Sequence, residues 1–240
     1  MRENPVEAKR YIGFLPQKAP LHTEMTVDEY LYHCADIRLM PKKEIPAAID
    51  RAKEKCGITH FSKRQICNLS GGYQQRVGIA QAIIHDPLFV ILDEPTNGLD
   101  PNQITEVRHL IKGIAEDRAV LISTHILPEV QAVCDYIMMI EHGQKVFEGT
   151  INAFNTYMSP SALMTIMHNA PTTEELLKIE GIVRVERLTK TRIRLHFKGD
   201  NAIVGRVVKQ AVENQWHLRE ISLEKESLDK VFAKLSGKEV

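Results

Sequence analysis

The chain has 240 residues, and its 31 basic and 31 acidic side chains give a formal net charge of zero, which favours neither nucleic acid nor an acidic membrane surface as the main partner. Its four cysteines include no C-x-x-C pair, which is typical of free thiols in a reducing compartment rather than of a disulfide or zinc framework. The sequence shows neither a signal peptide at Met1 nor a run of 18 apolar residues, so we expect a cytosolic chain that does not cross a membrane by itself.

The first predicted element is a short strand with the sequence Tyr11-Ile12-Gly13-Phe14-Leu15, which ends at Pro16. Gln17 follows directly. Taken alone, a glutamine at this place is an ordinary turn residue.

Two helices are predicted after this strand. Thr26 and Glu29 form a capping box, which predicts a helix that runs to about Met40. A second helix is expected roughly over residues 42–56, with Gly57 as its C-terminal cap.

A small-residue segment then leads into a third helical pattern. Ser70, Gly71 and Gly72 precede apolar residues at helical spacing. Small residues at a helix start let backbone N–H groups approach an anion, and the helix dipole adds partial positive charge. The same three residues also occur in plain turns, so this pattern alone does not identify a phosphate site.

An apolar run, Phe89-Val90-Ile91-Leu92, predicts a strand that is buried on both faces and ends at Asp93 and Glu94. An acid at the end of such a strand can hold Mg²⁺, and the next acid can orient and deprotonate an attacking water. Taken alone, such acids are as often structural as catalytic.

The pattern continues with a helix over about 102–116 and a second buried strand over 119–123, which delivers Thr124 and His125. A lone histidine after a strand is usually structural. Residues 136–140 and 145–149 then predict a hairpin.

The C-terminal part predicts a β-α-β-β-α-β order, which is that of a ferredoxin-like unit. A last helix from Ser227 carries an apolar face. The expected strands are 162–168, 183–188, 192–197 and 218–223, and the helices between them are 173–179 and 202–214.

The two central motifs occur in a fixed order, LSGGYQQR and then VILDEPTNGLD, and together they resemble the signature motif, Walker B strand and D-loop of ABC-type ATPases. The resemblance implies an α/β fold in which residues 1–155 form part of a P-loop NTPase, with a RecA-like sheet and an α-helical subdomain. Residues 160–240 would be a small α+β ferredoxin-like accessory domain.

The resemblance also implies ATP and Mg²⁺ as cofactors and a role for each motif residue. Asp93 and Gln17 would hold Mg²⁺, Glu94 would be the general base, and His125 would contact the γ-phosphate. The residues expected to contact the ATP of a second subunit or to organise that contact are Ser70, Gly71, Gly72, Gln74 and Asp100.

One family element is missing from the sequence. ABC ATPases bind the β- and γ-phosphates with a Gly-rich loop, G-x-x-x-x-G-K-[ST], before the Q-loop. The only Gly-Lys pair here is Gly237-Lys238, with no strand before it. We expect a fragment, a split reading frame or a degenerate subunit, and poor ATP binding by the chain alone.

The implied partners are a second ABC ATPase subunit and transmembrane permease subunits, with no nucleic acid. The implied location is cytoplasmic, at the inner face of the cell membrane, and the resemblance is to exporter-type ATPases such as the gliding-motility group. One alternative is a non-catalytic subunit that lends its signature motif to a complete partner. Another is a soluble ABC ATPase of DNA repair or translation, which would usually carry two ATPase halves or a long coiled-coil insertion.

Overall fold

The computed structural model describes residues 4–157, 162–199 and 202–224. Its contacts divide the chain into two units, Met1–Cys134 and Asp135–Val240. The domain limits that we expect from the resemblance, at residues 155 and 160, stay a prediction.

A parallel sheet of three strands lies in the first unit, in the order β1 (Ile12–Leu15), β2 (Phe89–Asp93) and β3 (Ala119–Ser123). In the register of the sheet, Leu15 faces Leu92, and Asp93 faces Ser123. Parallel strands in register place their carboxyl ends at one edge, so the residues that follow all three strands emerge together.

The first unit contains six α-helices within the described residues. The predicted capping box is confirmed, because the Glu29 N–H donates to Thr26 Oγ1 and the Thr26 N–H donates to the Glu29 carboxylate. The predicted cap at Gly57 is confirmed too, with a left-handed φ of 65°. The helices are α1 (Pro5–Arg10), α2 (Val27–Ile37), α3 (Ile45–Cys56), α4 (Gly71–Ile83), α5 (Pro101–Ala115) and α6 (Leu127–Val133); the sequence analysis did not predict α1 and α6.

One continuous apolar core joins α2, α3, α4 and α5 to the sheet. On β2, Val90 and Leu92 are fully buried while Ile91 is half-buried, so the expectation that both faces are buried is wrong for one face. The expectation of a buried β3 is also wrong, since its residues are half-buried or exposed and Leu121 is 48% exposed. Within the described residues only β2 pairs with β3, so the outer edge of β3 lacks a neighbour that could cover it.

The second unit begins with an antiparallel hairpin, β4 (Tyr136–Glu141) and β5 (Gln144–Thr150), followed by α7 (Ile151–Tyr157). The hairpin turns at His142 and Gly143, which both have positive φ, as a type I′ turn requires. The predicted hairpin is therefore confirmed.

The remaining described residues form a four-stranded antiparallel sheet in the order β7-β8-β6-β9. Its apolar core includes Trp216 and the inner faces of two helices. The ferredoxin-like order is confirmed, while the helix predicted from Ser227 lies outside the described residues. The elements are β6 (Ala162–Met167), α8 (Thr173–Leu177), β7 (Ile182–Arg187), β8 (Arg192–Phe197), α9 (Ile203–Glu213) and β9 (Leu218–Glu224). Among the described residues we find no helix with the length and apolar character needed to span a membrane.

Candidate functional site

The carboxyl edge of the parallel sheet brings four predicted site residues to one side of the first unit. Gln17 lies two residues after β1, Asp93 is the last residue of β2, Glu94 follows it, and His125 lies two residues after β3. In open α/β sheets, ligands bind outside the carboxyl ends of the strands. Strand order and register therefore place these residues where such a ligand would bind.

Glu94 is the most constrained of these residues. Its φ is +47°, a left-handed value that is uncommon for a residue other than glycine. Its N–H donates to the carbonyl of Ser123 at 2.8 Å, which continues the β2–β3 ladder by one bond. One carboxylate oxygen, Oε1, lies 2.7 Å from His125 Nδ1, and the other, Oε2, is buried without a hydrogen-bond partner among the described residues.

His125 is exposed, with 72% of its side chain accessible, whereas only 14% of the Glu94 side chain is accessible. The hydrogen bond to Glu94 and the negative charge of that carboxylate raise the pKa of His125 above its ordinary value. The contact also selects the tautomer, because only a protonated Nδ1 can donate to a carboxylate oxygen. The Nε2 atom is therefore the ring nitrogen that is left to contact a ligand.

Asp93 and Gln17 offer oxygen atoms at the same edge. Asp93 is half-buried and Gln17 is exposed, and neither side chain forms a hydrogen bond with another residue in the described ranges. Carboxylate and amide oxygens are ligands that Mg²⁺ accepts, and Glu94 Oε2 leaves a further buried acceptor nearby in sequence. The residues that the structure describes contain no cluster of three or more His, Cys, Asp or Glu side chains that could hold a metal ion, so the Mg²⁺ role of Asp93 and Gln17 stays a prediction.

The start of α4 lacks a side-chain cap, as do the starts of α3 and α6. Thr26 and Asp100 use their side chains to cap α2 and α5, but Ser70, the N-cap of α4, makes no side-chain cap bond. A Cβ atom added at Gly71 would meet nothing within 4 Å, so this face of the helix start is open. An uncapped serine beside an open glycine is compatible with an anion at this helix end.

Two other predicted site residues have contacts within the chain. The Gln74 amide donates to the carbonyls of Ile66 and Leu69, both at 3.1 Å, and so holds the loop that leads to Ser70. The Asp100 carboxylate accepts from the N–H groups of the first turn of α5. The nucleotide roles expected for both residues stay predictions.

A buried hydrogen-bonded group that the sequence does not predict lies behind this edge. Glu129, in the first turn of α6, accepts hydrogen bonds from the hydroxyls of Thr96 and Thr124. Neither threonine has a spacing that indicates this contact, although Thr96 follows Pro95 in the turn after β2 and Thr124 precedes His125.

Comparisons with known proteins found a matching family model and similar proteins. Residues 2–97 match the family model described as ABC transporter. The chain is 30% identical to the bacitracin transport ATP-binding protein BcrA of Bacillus licheniformis, over 98% of this chain and 76% of BcrA. It is 34% identical to the uncharacterized ABC transporter ATP-binding protein YxlF of Bacillus subtilis, over 60% of this chain and 48% of YxlF.

A solved structure is similar as well. CbiO1 of Clostridium perfringens, described as part of the ABC transporter complex CbiONQ, superposes with a TM-score of 0.57 and 27% identity, over 62% of this chain and 60% of that chain. The chain thus spans about half the length of YxlF and about three quarters of BcrA.

Proposed function

Because this chain belongs to the family of ABC transporter ATP-binding proteins, we propose that it binds ATP with Mg²⁺ and takes part in ATP hydrolysis that drives transport. The pairing of Glu94 with His125 carries this proposal. It leaves one buried carboxylate oxygen without a protein partner, at the strand edge where ligands of α/β proteins bind.

The residues of this edge have separate roles in the proposal. Asp93 and Gln17 would hold Mg²⁺, which together with nearby donors would neutralise charge on the transferring phosphoryl group. Glu94 would accept a proton from the attacking water at its carboxylate. His125, with its Nδ1 engaged by Glu94, would present Nε2 to the γ-phosphate.

The start of α4 would face the ATP of a second ATPase subunit. Ser70 and Gly71 support this role because the serine hydroxyl is not used as a cap and the face at Gly71 is open, whereas the space at Gly72 is filled by the side chain of Gln103. Gln75 donates to the carbonyl of Pro95 at 2.8 Å, so α4 is linked to the turn that follows Glu94.

We further propose an exporter whose membrane subunits are separate polypeptides, with this chain at the inner face of the membrane. The names of the similar proteins support this choice, since they include a bacitracin transport protein and a Nod factor export protein of Rhizobium meliloti. CbiO1, the similar structure, is itself described as part of a transporter complex.

A second candidate function is a subunit that contributes its signature motif to a complete partner without hydrolysing ATP at its own Walker B strand. This candidate needs only the signature segment, which residues 1–240 contain, and not the G-x-x-x-x-G-K-[ST] loop, which they do not contain. Loss of that loop would remove the main phosphate-binding element.

The test measures magnesium-dependent phosphate release by the 240-residue chain alone and by the chain fused to an N-terminal ATPase segment that carries the Gly-rich loop. Each form is compared with its Glu94→Gln variant. That change keeps the size of the side chain and the acceptor for His125 but removes the base. Glu54→Gln, at an exposed position of α3, is the matched control.

We expect turnover in the fused form only, and a loss of at least about 10²-fold in Glu94→Gln while ATP binding is kept. Glu54→Gln should match the unsubstituted fusion. Turnover by Glu94→Gln within a few-fold of that fusion would remove Glu94 from the role of base. The chain and its Glu94→Gln variant can also be mixed with a second ATPase subunit that carries the Gly-rich loop. Equal stimulation of that subunit's phosphate release by both forms would favour the second candidate.

A further inference from the structure

Glu129 is a buried carboxylate to which the proposed reaction assigns no role. It is 2% exposed and forms no ion pair with the residues that the structure describes. Burying a carboxylate is costly unless hydrogen bonds replace its water. Here two hydroxyl donors do so, those of Thr96, which is itself 2% exposed, and Thr124, at 3.3 Å.

The two donors belong to the two segments that present the reacting side chains. Thr96 lies in the turn after β2, which the Asn97 N–H closes by donating to the carbonyl of Glu94 at 3.1 Å. Thr124 immediately precedes His125, and its hydroxyl also accepts from the N–H of Ile126 at 3.1 Å. Each oxygen of Glu129 therefore holds a different segment, Oε1 the one with Glu94 and Oε2 the one with His125.

Glu94 needs such support because its backbone is strained. A left-handed φ at a residue other than glycine persists only when the surrounding contacts over-determine it. Thr96 lies two residues after Glu94, and its hydroxyl donates a hydrogen bond to Glu129. Breaking this bond would leave a buried carboxylate oxygen of Glu129 without a partner, which is costly.

We propose that Glu129 is a positioning residue, which ties the turn after β2 to the segment after β3 and so keeps Glu94 Oε1 within hydrogen-bond distance of His125 Nδ1. Its consequence for catalysis rests on the proposed function. The link that Glu129 makes between the two segments, which we call the tie, does not depend on the proposed function, since every contact that defines it lies within this chain.

The test is NMR of the full 240-residue chain with ¹⁵N-labelled histidine, read through the Nδ1 resonance and tautomer of His125. His109 serves as the reference, because it is exposed and the described residues show no hydrogen bond to its ring. Glu129→Ala removes both hydrogen bonds. Glu129→Gln keeps them, because its oxygen accepts from one hydroxyl and its NH₂ donates to the other.

Two further comparisons separate positioning from general loosening. Thr96→Val removes the hydroxyl at nearly constant shape, whereas Thr96→Ser retains it. Ile49→Ala, in α3, makes a cavity in the apolar core of the first unit. It should lower the urea midpoint without changing the hydrogen bonds of Glu129.

We expect the His125 Nδ1 resonance to move at least halfway towards that of His109 in Glu129→Ala and in Thr96→Val. Because the charge of Glu129 helps to raise the pKa of His125, the spectra are recorded at a pH at which the ring is neutral in every variant. In Glu129→Gln, Thr96→Ser and Ile49→Ala the resonance should then stay in place. An unchanged resonance in Glu129→Ala would overturn the proposal, and so would an equal shift in Ile49→Ala. Since the readout needs no nucleotide, an absence of ATP hydrolysis in the fused form would contradict the proposed function and leave the tie standing.

Discussion

Gly13 on β1 allows α4 to approach the sheet more closely than any other residue would. A Cβ atom built at Gly13 would lie 2.1 Å from the carbonyl oxygen of Ala82 and 3.1 Å from Cγ of Pro87. The first contact is with backbone, so no side-chain rotation can relieve it. In Gly13→Ala, either α4 or β1 must move by about 1 Å, judged against the ordinary van der Waals separation.

The size of the effect follows from two opposing terms. Overpacking of this kind costs about 1–3 kcal/mol, and a clash with backbone belongs at the upper end. The alanine also restricts the unfolded chain, which returns about 0.5–1 kcal/mol. We therefore expect Gly13→Ala to lower the free energy of unfolding of the first unit by about 2 kcal/mol.

Gly113, in the last turns of α5, is the matched control. A Cβ atom there would meet nothing within 4 Å, so Gly113→Ala should instead stabilise by about 0.5–1 kcal/mol through helix propensity. Native-state hydrogen exchange of the β1 and β2 amides measures both variants on the first unit directly. A Gly13→Ala protein as stable as wild type would refute the close approach, and with it the placement of α4 against the strand.

Three further predictions concern Glu94, the cap of α5 and the exposed strand β3. Glu94→Gln should return the pKa of His125 towards its ordinary value in an NMR titration. Because the pKa is raised in the folded chain, the stabilisation by this pair is present below the unfolded pKa and is lost as pH rises through the folded pKa. Asp100→Ala should cost about 1 kcal/mol in urea unfolding, because two N–H groups of α5 lose their cap. Leu121→Lys should reduce self-association in sedimentation measurements, because a charge on the exposed strand β3 opposes edge pairing; unchanged association would show that this strand is not the contact.

Local signals in the sequence predicted most helix and strand limits. The capping box of Thr26 and Glu29 depends on hydrogen bonds between near neighbours in the chain, and the cap at Gly57 depends on the conformation of one residue. Both can therefore be predicted without knowledge of the tertiary fold. The helix α6 has no comparable signal. Its N-cap, Ile126, makes no side-chain bond, and its seven residues give too short an apolar period to detect.

Burial could not be read from composition in the same way. Val90 and Leu121 both lie in apolar runs of similar length, yet the first is fully buried and the second is 48% exposed. The difference arises from the face of the sheet, since Val90 and its partner Val120 pack against the helical core, whereas Leu121 pairs with Ile91 on the opposite face, which is less covered. A strand's sequence reports what it can bury, and its neighbours determine what it does bury.

The candidate site shows the same division between local and long-range information. The sequence could place Asp93, Glu94 and His125 at strand ends, because each lies within three residues of the end of an apolar run. It could not show that Glu94 and His125 touch, since that contact requires β2 and β3 to be adjacent with Asp93 opposite Ser123. Glu129 is further removed still, because its role arises only after that register brings Thr96 and Thr124 within reach of one carboxylate. Motif residues are therefore recognisable from their order in the sequence, while a residue that links two motifs acts through neighbours that only the fold supplies.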